Sequence, residues 1–366
     1  MGKTLELHPL HFFVAGFFLL AGPVAAQECC EEKTQEEKEE CVNCLAIAQF
    51  KHDVGDFRWV TKLDMTFGRS PRPIFIEFTG KGENQMILDE QFLLSRSIQS
   101  NDKDKESVSV TGFRTDSNNY FMLTLDFNRT PFGWYEGITE WDGSRVLKDP
   151  SDHVLIRTVW EKSGISTTTY SLGDALFLET TAKSGRRANR SKVNPLKTLL
   201  GGSIKPKKIN LKADKKDPAE NFSEEHLLLQ QLAGDFDLDS EDGTREEVTS
   251  RLICQGRFLI SASMETHEDG EVSESLAFLG FDSSKKVFQM FRFNPGVSYP
   301  RYWTGVWYED VGTLNGTLSL EDPLAPGASI EIRFKGDGGY SWVQTSDLDV
   351  EDKTEKAFDP LKKKRR

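Results

Sequence analysis

The sequence predicts an all-β protein: two tandem antiparallel up-and-down barrels of the lipocalin or calycin kind, each preceded by a short helix. Three observations predict it. The chain of 366 residues is written twice. Gly112-Phe113, followed by Asp116-Ser117, returns as Gly280-Phe281, followed by Asp282-Ser283. Trp134-Tyr135-Glu136-Gly137-Ile138 returns as Tyr302-Trp303-Thr304-Gly305-Val306, at the same offset of 168 (280 − 112 and 305 − 137). Gly55-Asp56-Phe57 with Gly234-Asp235-Phe236, Phe92-Leu93-Leu94 with Phe258-Leu259-Ile260, and Ile156-Arg157 with Ile332-Arg333 bracket these matches. So long a period marks a duplicated domain, because solenoid units repeat every roughly 20–50 residues. The composition supplies the second observation: 25 Phe and 7 Trp are many, and aromatic side chains favour a half-buried pleated surface. The third is period-two alternation broken by short turns. A meander of that length leaves open edges, and closing it into a barrel removes them. A two-sheet sandwich needs long crossover links, which the sequence lacks.

Residues 1–26 read as an export signal: Lys3, the apolar run Phe12 to Gly22, then Val24-Ala25-Ala26 before a cleavage at Gln27. The alternative is an N-terminal membrane anchor, but the run is shorter than the roughly 20 residues that span a bilayer, and Pro23 breaks it. The mature protein is expected to be periplasmic or extracellular. Residues 27–54 form an acidic, cysteine-containing segment, helical over Glu31 to Lys51, with Cys41, Cys44, Leu45 and Ala48 on one face and Gly55 at its end. Outside the cytoplasm Cys29, Cys30, Cys41 and Cys44 favour disulfides, with three connectivities open. The adjacent pair Cys29-Cys30 suits zinc poorly, and Cys41-x-x-Cys44 lacks the βαβ setting of a redox motif. Cys254 stands where the first copy has Leu88 (254 − 88 = 166), so it is expected to be a buried, inert thiol.

The first barrel is read at 55–182. Its strands include Met86 to Leu94, Tyr120 to Phe127, Trp134 to Trp141, Val154 to Trp160, Thr167 to Ser171 and Leu176 to Thr180, with Asn118-Asn119 suited to a tight hairpin. Residues 183–221 carry Pro195, Pro206, Pro218 and Gly201-Gly202 without apolar periodicity, which describes a basic disordered linker. The second barrel is read at 222–348. Ser223 caps a helix whose apolar face is Leu227 to Leu232, and strands follow from Glu247 to Leu348. The charged residues 349–366 read as a disordered tail.

A net charge of −12 argues against nucleic acid as a partner. The basic linker and tail offer at most weak contact with anionic envelope surfaces. The four histidines beyond the signal share no metal-ligand spacing, and no catalytic constellation is found, so neither a cofactor nor an enzymatic role is read. Arg157 and Arg333 sit within strands, and alternation puts Arg157 on the face of Leu155 and Val159. An arginine directed into a barrel needs a carboxylate, such as Glu136 or Glu140, or a bound anionic head group. The aromatic strand Trp134-Tyr135 to Trp141 recurs as Tyr302-Trp303 to Trp307, and one face of it must line the barrel. Such a lining suits either a small-molecule pocket or a filled core. The candidate site is therefore Arg157, Arg333, Trp134, Tyr135, Trp141, Tyr302, Trp303 and Trp307. The expected partner is a small apolar or amphiphilic ligand; the alternative is a structural or interaction protein of the cell envelope with filled barrels.

His226-Leu227 to Phe236, Gly256-Arg257-Phe258-Leu259, Gly280-Phe281-Asp282 and Ile332-Arg333 resemble a bacterial domain-of-unknown-function family, number fifteen-seventy-nine in its series. The resemblance covers roughly His226 to Asp347, and Gly55 to Thr181 resembles a diverged second member. It implies a calycin-like barrel, akin to lipocalins and haem-binding nitrobindins, and no activity. The family's Gly-x-Trp after the opening helix is Gly-Asp-Phe in both copies, and neither copy has a late histidine placed to ligate haem.

Overall fold

The computed structural model describes residues 50, 53–65, 74–100, 102–126, 132–151, 153–161, 164–172, 175–184, 224–239, 245–267, 269–309, 316–325, 327–334, 340–345 and 353–360. The chain is all-β and forms two antiparallel barrels. The first runs β1 (Gly55–Met65), β2 (Ile74–Ile87), β3 (Phe92–Gln99), β4 (Asp102–Arg114), β5 (Asn119–Asp126), β6 (Gly133–Thr139), β7 (Arg145–Lys148), β8 (Val154–Trp160), β9 (Ile165–Leu172) and β10 (Ala175–Ser184). Each strand pairs with its sequence neighbour, and β1 pairs with β10 to close the ring. The second follows helix α1 (Glu224–Gln231) as β11 (Gly234–Asp239), β12 (Arg245–Ile253), β13 (Phe258–Thr266), β14 (Val272–Asp282), β15 (Val287–Phe293), β16 (Arg301–Glu309), β17 (Gly316–Glu321), β18 (Ser329–Phe334), β19 (Tyr340–Thr345) and β20 (Lys353–Pro360). Here closure is slight: among the described residues β20 meets β11 through Phe236↔Pro360 and Asp237↔Asp359.

The expected disordered tail is corrected over Lys353–Pro360, which pairs with β19 from Tyr340↔Phe358 to Thr345↔Lys353. A strand laddered by its backbone does not need an apolar stripe of its own, so periodicity alone misses it. α1 and the turn after it carry Leu229 and Leu232 into the second barrel's core, and α1 buries His226 edge-on against Phe281 (5.8 Å). Ser223 lies outside the described residues. So do the signal, the four N-terminal cysteines, the linker beyond Ser184 and, apart from the helical Phe50 and Asp53, the first helix. Among the described residues no helix is long and apolar enough to cross a membrane.

Two strands explain how the barrels meet. On β5, Tyr120 and Met122 join the first barrel's interior, while Phe121, Leu123 and Leu125 join a different core on the outer face. On β15, Phe288 and Met290 face inward, and Phe291 and Phe293 join that same outer core. A strand buried on both faces reads as a continuous apolar run rather than an alternation, which is how Tyr120-Phe121-Met122-Leu123 and Val287-Phe288 read. The outer faces of β3–β5 and β13–β15 thus form one seam between the barrels. Across it Phe92 meets Phe293 edge-on (5.2 Å), Trp134 stacks on Phe291 (5.5 Å, 8°) and Phe132 meets Phe258 (4.9 Å). At its rim the Arg114 guanidinium lies over Tyr299 (4.1 Å), and the Gly296 N–H donates to Gln91 Oε1 (3.1 Å).

The seam has near two-fold symmetry, because equivalent strands of the two copies face each other. Leu88 and Asp89 (φ 51° and 55°) form the left-handed turn before β3, and Cys254 and Gln255 (φ 51° and 61°) form its counterpart before β13. Glu106 accepts the Arg96 Nε–H (2.5 Å) and reaches across to accept the Cys254 backbone N–H (3.0 Å). Cys254 is buried with a free thiol, as its pairing with Leu88 predicts, but it lies at the seam between barrels rather than inside one. The symmetric counterpart of Glu106 is Glu274 (274 − 106 = 168), and it faces Asp89. Burial first, then the Asp89 charge, raise the Glu274 carboxyl above its ordinary value. The folded protein therefore holds this proton more tightly than the unfolded chain. Stability from this group is full below the ordinary glutamate range and declines as pH rises through the raised value. Asp89→Asn is expected to stabilise the protein by at most about 0.5 kcal/mol at neutral pH, and not at all below about pH 4. Urea unfolding at both pH values measures this.

Candidate functional site: the barrel interiors

The structure sorts the sequence-predicted site residues into three groups. Tyr135 and Trp303, equivalent in the two copies, are buried inside their barrels, and Trp307 lines the second, edge-on to Phe334 (4.9 Å). Trp134 and Tyr302, one residue earlier, lie on the opposite face and pack at the seam. Trp141 is 96% exposed in a turn. The inward reading of Arg157 and Arg333 is corrected: both side chains lie on the outside, 41% and 53% exposed. Arg157 pairs with Asp142 (2.6 Å) and Glu140 (3.2 Å), and Arg333 with Glu331 (2.5 Å). The physical reason is the strand's phase. Ile156 and Thr158 are buried within the barrel while Val159 is 45% exposed, so the face shared by Arg157 and Val159 is the solvent face.

Inside the first barrel, apolar and hydroxyl positions occupy different levels. One end holds a cluster that includes Leu63, Phe113, Tyr120, Tyr135, Ile156 and Tyr170, closed by Phe50. A smaller cluster of Phe57, Trp59 and Ala182 lies toward the other end. Between them the inward positions are hydroxyls: Thr61 between Trp59 and Leu63 on β1, and Thr180 between Leu178 and Ala182 on β10. Register aligns these into two belts. On one wall Thr158, Thr168, Thr180 and Thr61 stand opposite one another across β8, β9, β10 and β1. Thr61 and Thr180 share a hydrogen bond (2.8 Å), as do Thr158 and Thr168 (3.0 Å). On the other wall Asn84, Ser95, Ser109 and Thr124 align across β2–β5, with Ser97, Ser107 and Asp126 beside them. The Ser107 hydroxyl donates to Asp126 (2.9 Å). Burial, then Tyr135 and Asp126, push the Tyr170 phenol far above its ordinary value, so it stays protonated as a donor.

Two hydroxyls on this wall, Ser109 Oγ and Thr124 Oγ1, and the Trp59 Nε1 on β1 are buried without a partner. Each such group costs about 1–3 kcal/mol unless something bonds to it. An eight-stranded ring is just wide enough for side chains to fill. A ten-stranded ring lined at mid-height by Ser and Thr is wider, and its side chains are smaller.

The second barrel repeats the serines. Ser261, Ser263 and Ser275 are the counterparts of Ser95, Ser97 and Ser107, and Ser250–Ser261 (2.8 Å) and Ser263–Ser275 (2.7 Å) are hydrogen-bonded. It also carries charge. Arg292 lies inside, 5.6 Å from the Trp342 ring, and donates to Gln344 (3.4 Å). Burial pulls its guanidinium below the ordinary arginine value, and Glu246 and Glu265 oppose that pull. An inward arginine is therefore present, but it is Arg292. In the first barrel the buried arginine is Arg145, over Tyr120 (4.1 Å) at the helix end, where burial raises the Asp53 carboxyl against the pull of Arg145. The hydroxyl belts were readable from the repeat: the offsets that align Phe with Phe also align Ser95 with Ser261 and Ser107 with Ser275.

Fold and interior together define the class: a tandem pair of antiparallel β-barrels with polar mid-sections. Comparison of the chain with family models, curated proteins and solved structures finds no match.

Proposed function

We propose that this is a non-catalytic small-molecule-binding protein that holds an amphiphilic ligand inside a barrel. On its signal-like start, it acts outside the cytoplasm. The single observation that carries this is the set of orphaned groups in the first barrel: Ser109 Oγ and Thr124 Oγ1 on a wall of small side chains, and Trp59 Nε1 on β1. Hydroxyls at mid-height with aromatic clusters above and below suit a molecule with an apolar body and a polar group. The resemblance to calycin barrels points the same way. The test is titration of the full chain with N-phenyl-1-naphthylamine, a neutral fluorescent amphiphile. Saturable binding that Ser109→Phe weakens at least tenfold is expected, because the ring would fill the space beside Thr124. Binding indifferent to that substitution, or none at all, would overturn the proposal.

The second reading is a structural or interaction protein of the cell envelope with filled barrels. It draws on the packed aromatic clusters at the helix end of each barrel. Under it, solvent extraction of the purified protein releases nothing and the titration does not saturate.

A further inference from the structure

Resting on that binding reading, we infer that the first barrel alone is the ligand site and that its ligand is an uncharged amphiphile, one whose hydroxyl, amide or carbonyl group bonds to the Ser109–Thr124 wall. Equivalent inner positions of the two barrels differ in kind. Thr124 in the first barrel is Arg292 in the second (292 − 124 = 168), Gly80 is Glu246 and Gln99 is Glu265 (both 166). The second barrel has therefore replaced a hydroxyl, a bare backbone position and an amide by three long charged side chains. Those charges answer one another. Glu246 and Glu265 stabilise the Arg292 guanidinium, which also donates to Gln344 and lies beside Trp342. Its serines are likewise bonded in pairs. The small side chain of Thr124 in one copy is replaced by the long Arg292 in the other, while the Trp59 ring already covers Gly80.

At these three positions the first barrel is neutral where the second is charged. Its charged group at that level, Asp126, already accepts the Ser107 hydroxyl and has the Tyr170 phenol beside it. Its buried arginine, Arg145, lies over Tyr120 (4.1 Å) and near Phe50 (5.5 Å) at the aromatic end, with Asp53 as its neighbouring carboxyl. An anionic ligand at mid-height would be buried near Asp126 with no cation among the described residues to meet it, and burying an unpaired charge is strongly unfavourable. A cation would have to displace the donors that Asp126 already holds. The orphaned groups are instead a hydroxyl pair, which bonds to neutral acceptors and donors alike, and an indole N–H, which only donates.

The test uses N-phenyl-1-naphthylamine as reporter on the full chain, displaced by three ten-carbon amphiphiles differing only in head group: 1-decanol, decanoate and decylammonium. Measurements are made near pH 8, where carboxylate and ammonium are both charged. The expected result is one reporter per chain, displaced by decanol at a concentration at least tenfold below that of either ion. Thr124→Arg, which copies the second barrel, and the volume-preserving Thr124→Val should each weaken reporter binding, by at least tenfold and about threefold respectively. Ser263→Phe in the second barrel and Arg157→Met on the outer surface should change it less than twofold. Two reporters per chain, sensitivity to Ser263→Phe, or equal displacement by an ion would each overturn the inference while leaving the binding reading intact. A reporter that does not bind saturably would remove both. Thr124→Val keeps the test decisive should Thr124→Arg fail to fold.

Discussion

Replacing Gly137 or Gly305 by alanine should destabilise its barrel by about 3 kcal/mol, the upper part of the range for overpacked cores. These glycines occupy equivalent positions on β6 and β16. A Cβ on Gly137 would stand 1.8 Å from the Val146 carbonyl oxygen, and one on Gly305 1.8 Å from the Ser319 carbonyl oxygen. The obstacle in both cases is backbone of the neighbouring strand, which is laddered on both sides and cannot turn away as a side chain would. The effect should be local to one barrel, so each single substitution leaves the other barrel's contribution unchanged. Urea unfolding reads it directly. A loss below about 1 kcal/mol would mean that the close approach is not required for closure.

Phe121→Ala should cost about 3–5 kcal/mol, as phenylalanine deletions in packed cores do. Its ring stacks on Trp134 (5.2 Å, 12°) and touches Phe92 (6.2 Å), Tyr299 (5.5 Å) and Phe293 (6.3 Å). Two of those rings belong to the other barrel. The loss therefore falls on the seam, and the ring it removes lies outside both barrel interiors. Unfolding followed by two probes, one in each barrel, should separate into two transitions where the parent shows one. Binding of the neutral reporter should be unchanged. A single shifted transition with the reporter lost would show that the seam and the first barrel's interior are one unit.

The barrels were legible because alternation and duplication are local and repeated signals. Phe57, Trp59, Thr61 and Leu63 on β1 fall on one face by parity alone, and the offset of 168 carries the assignment to the second copy. β20 was not legible, because its place in the sheet is given by backbone pairing with β19. The candidate site was half legible. Tyr135 and Trp303 lie inside as the aromatic strand predicts. Arg157 does not, because its neighbour Val159 is apolar yet exposed, so the flanking residues misstate the phase of β8. Arg292 was hidden for the opposite reason. It sits in Phe288-Gln289-Met290-Phe291-Arg292-Phe293, a run apolar on both faces, where parity has nothing to distinguish inside from outside.

The sequence by itself determined the strand content, the duplication and the short up-and-down connections, because each depends on residues close in the chain or on a copy of them. Tertiary structure alone decided that the outer faces of β3–β5 and β13–β15 are not solvent faces. It also decided that mid-height hydroxyls from strands far apart in the chain, such as Thr61 and Thr180, meet across a ring. The physical reason is that burial of a strand's second face depends on what docks against it. Such docking joins surfaces some 168 residues apart that leave no periodic mark of their own beyond an unbroken apolar run.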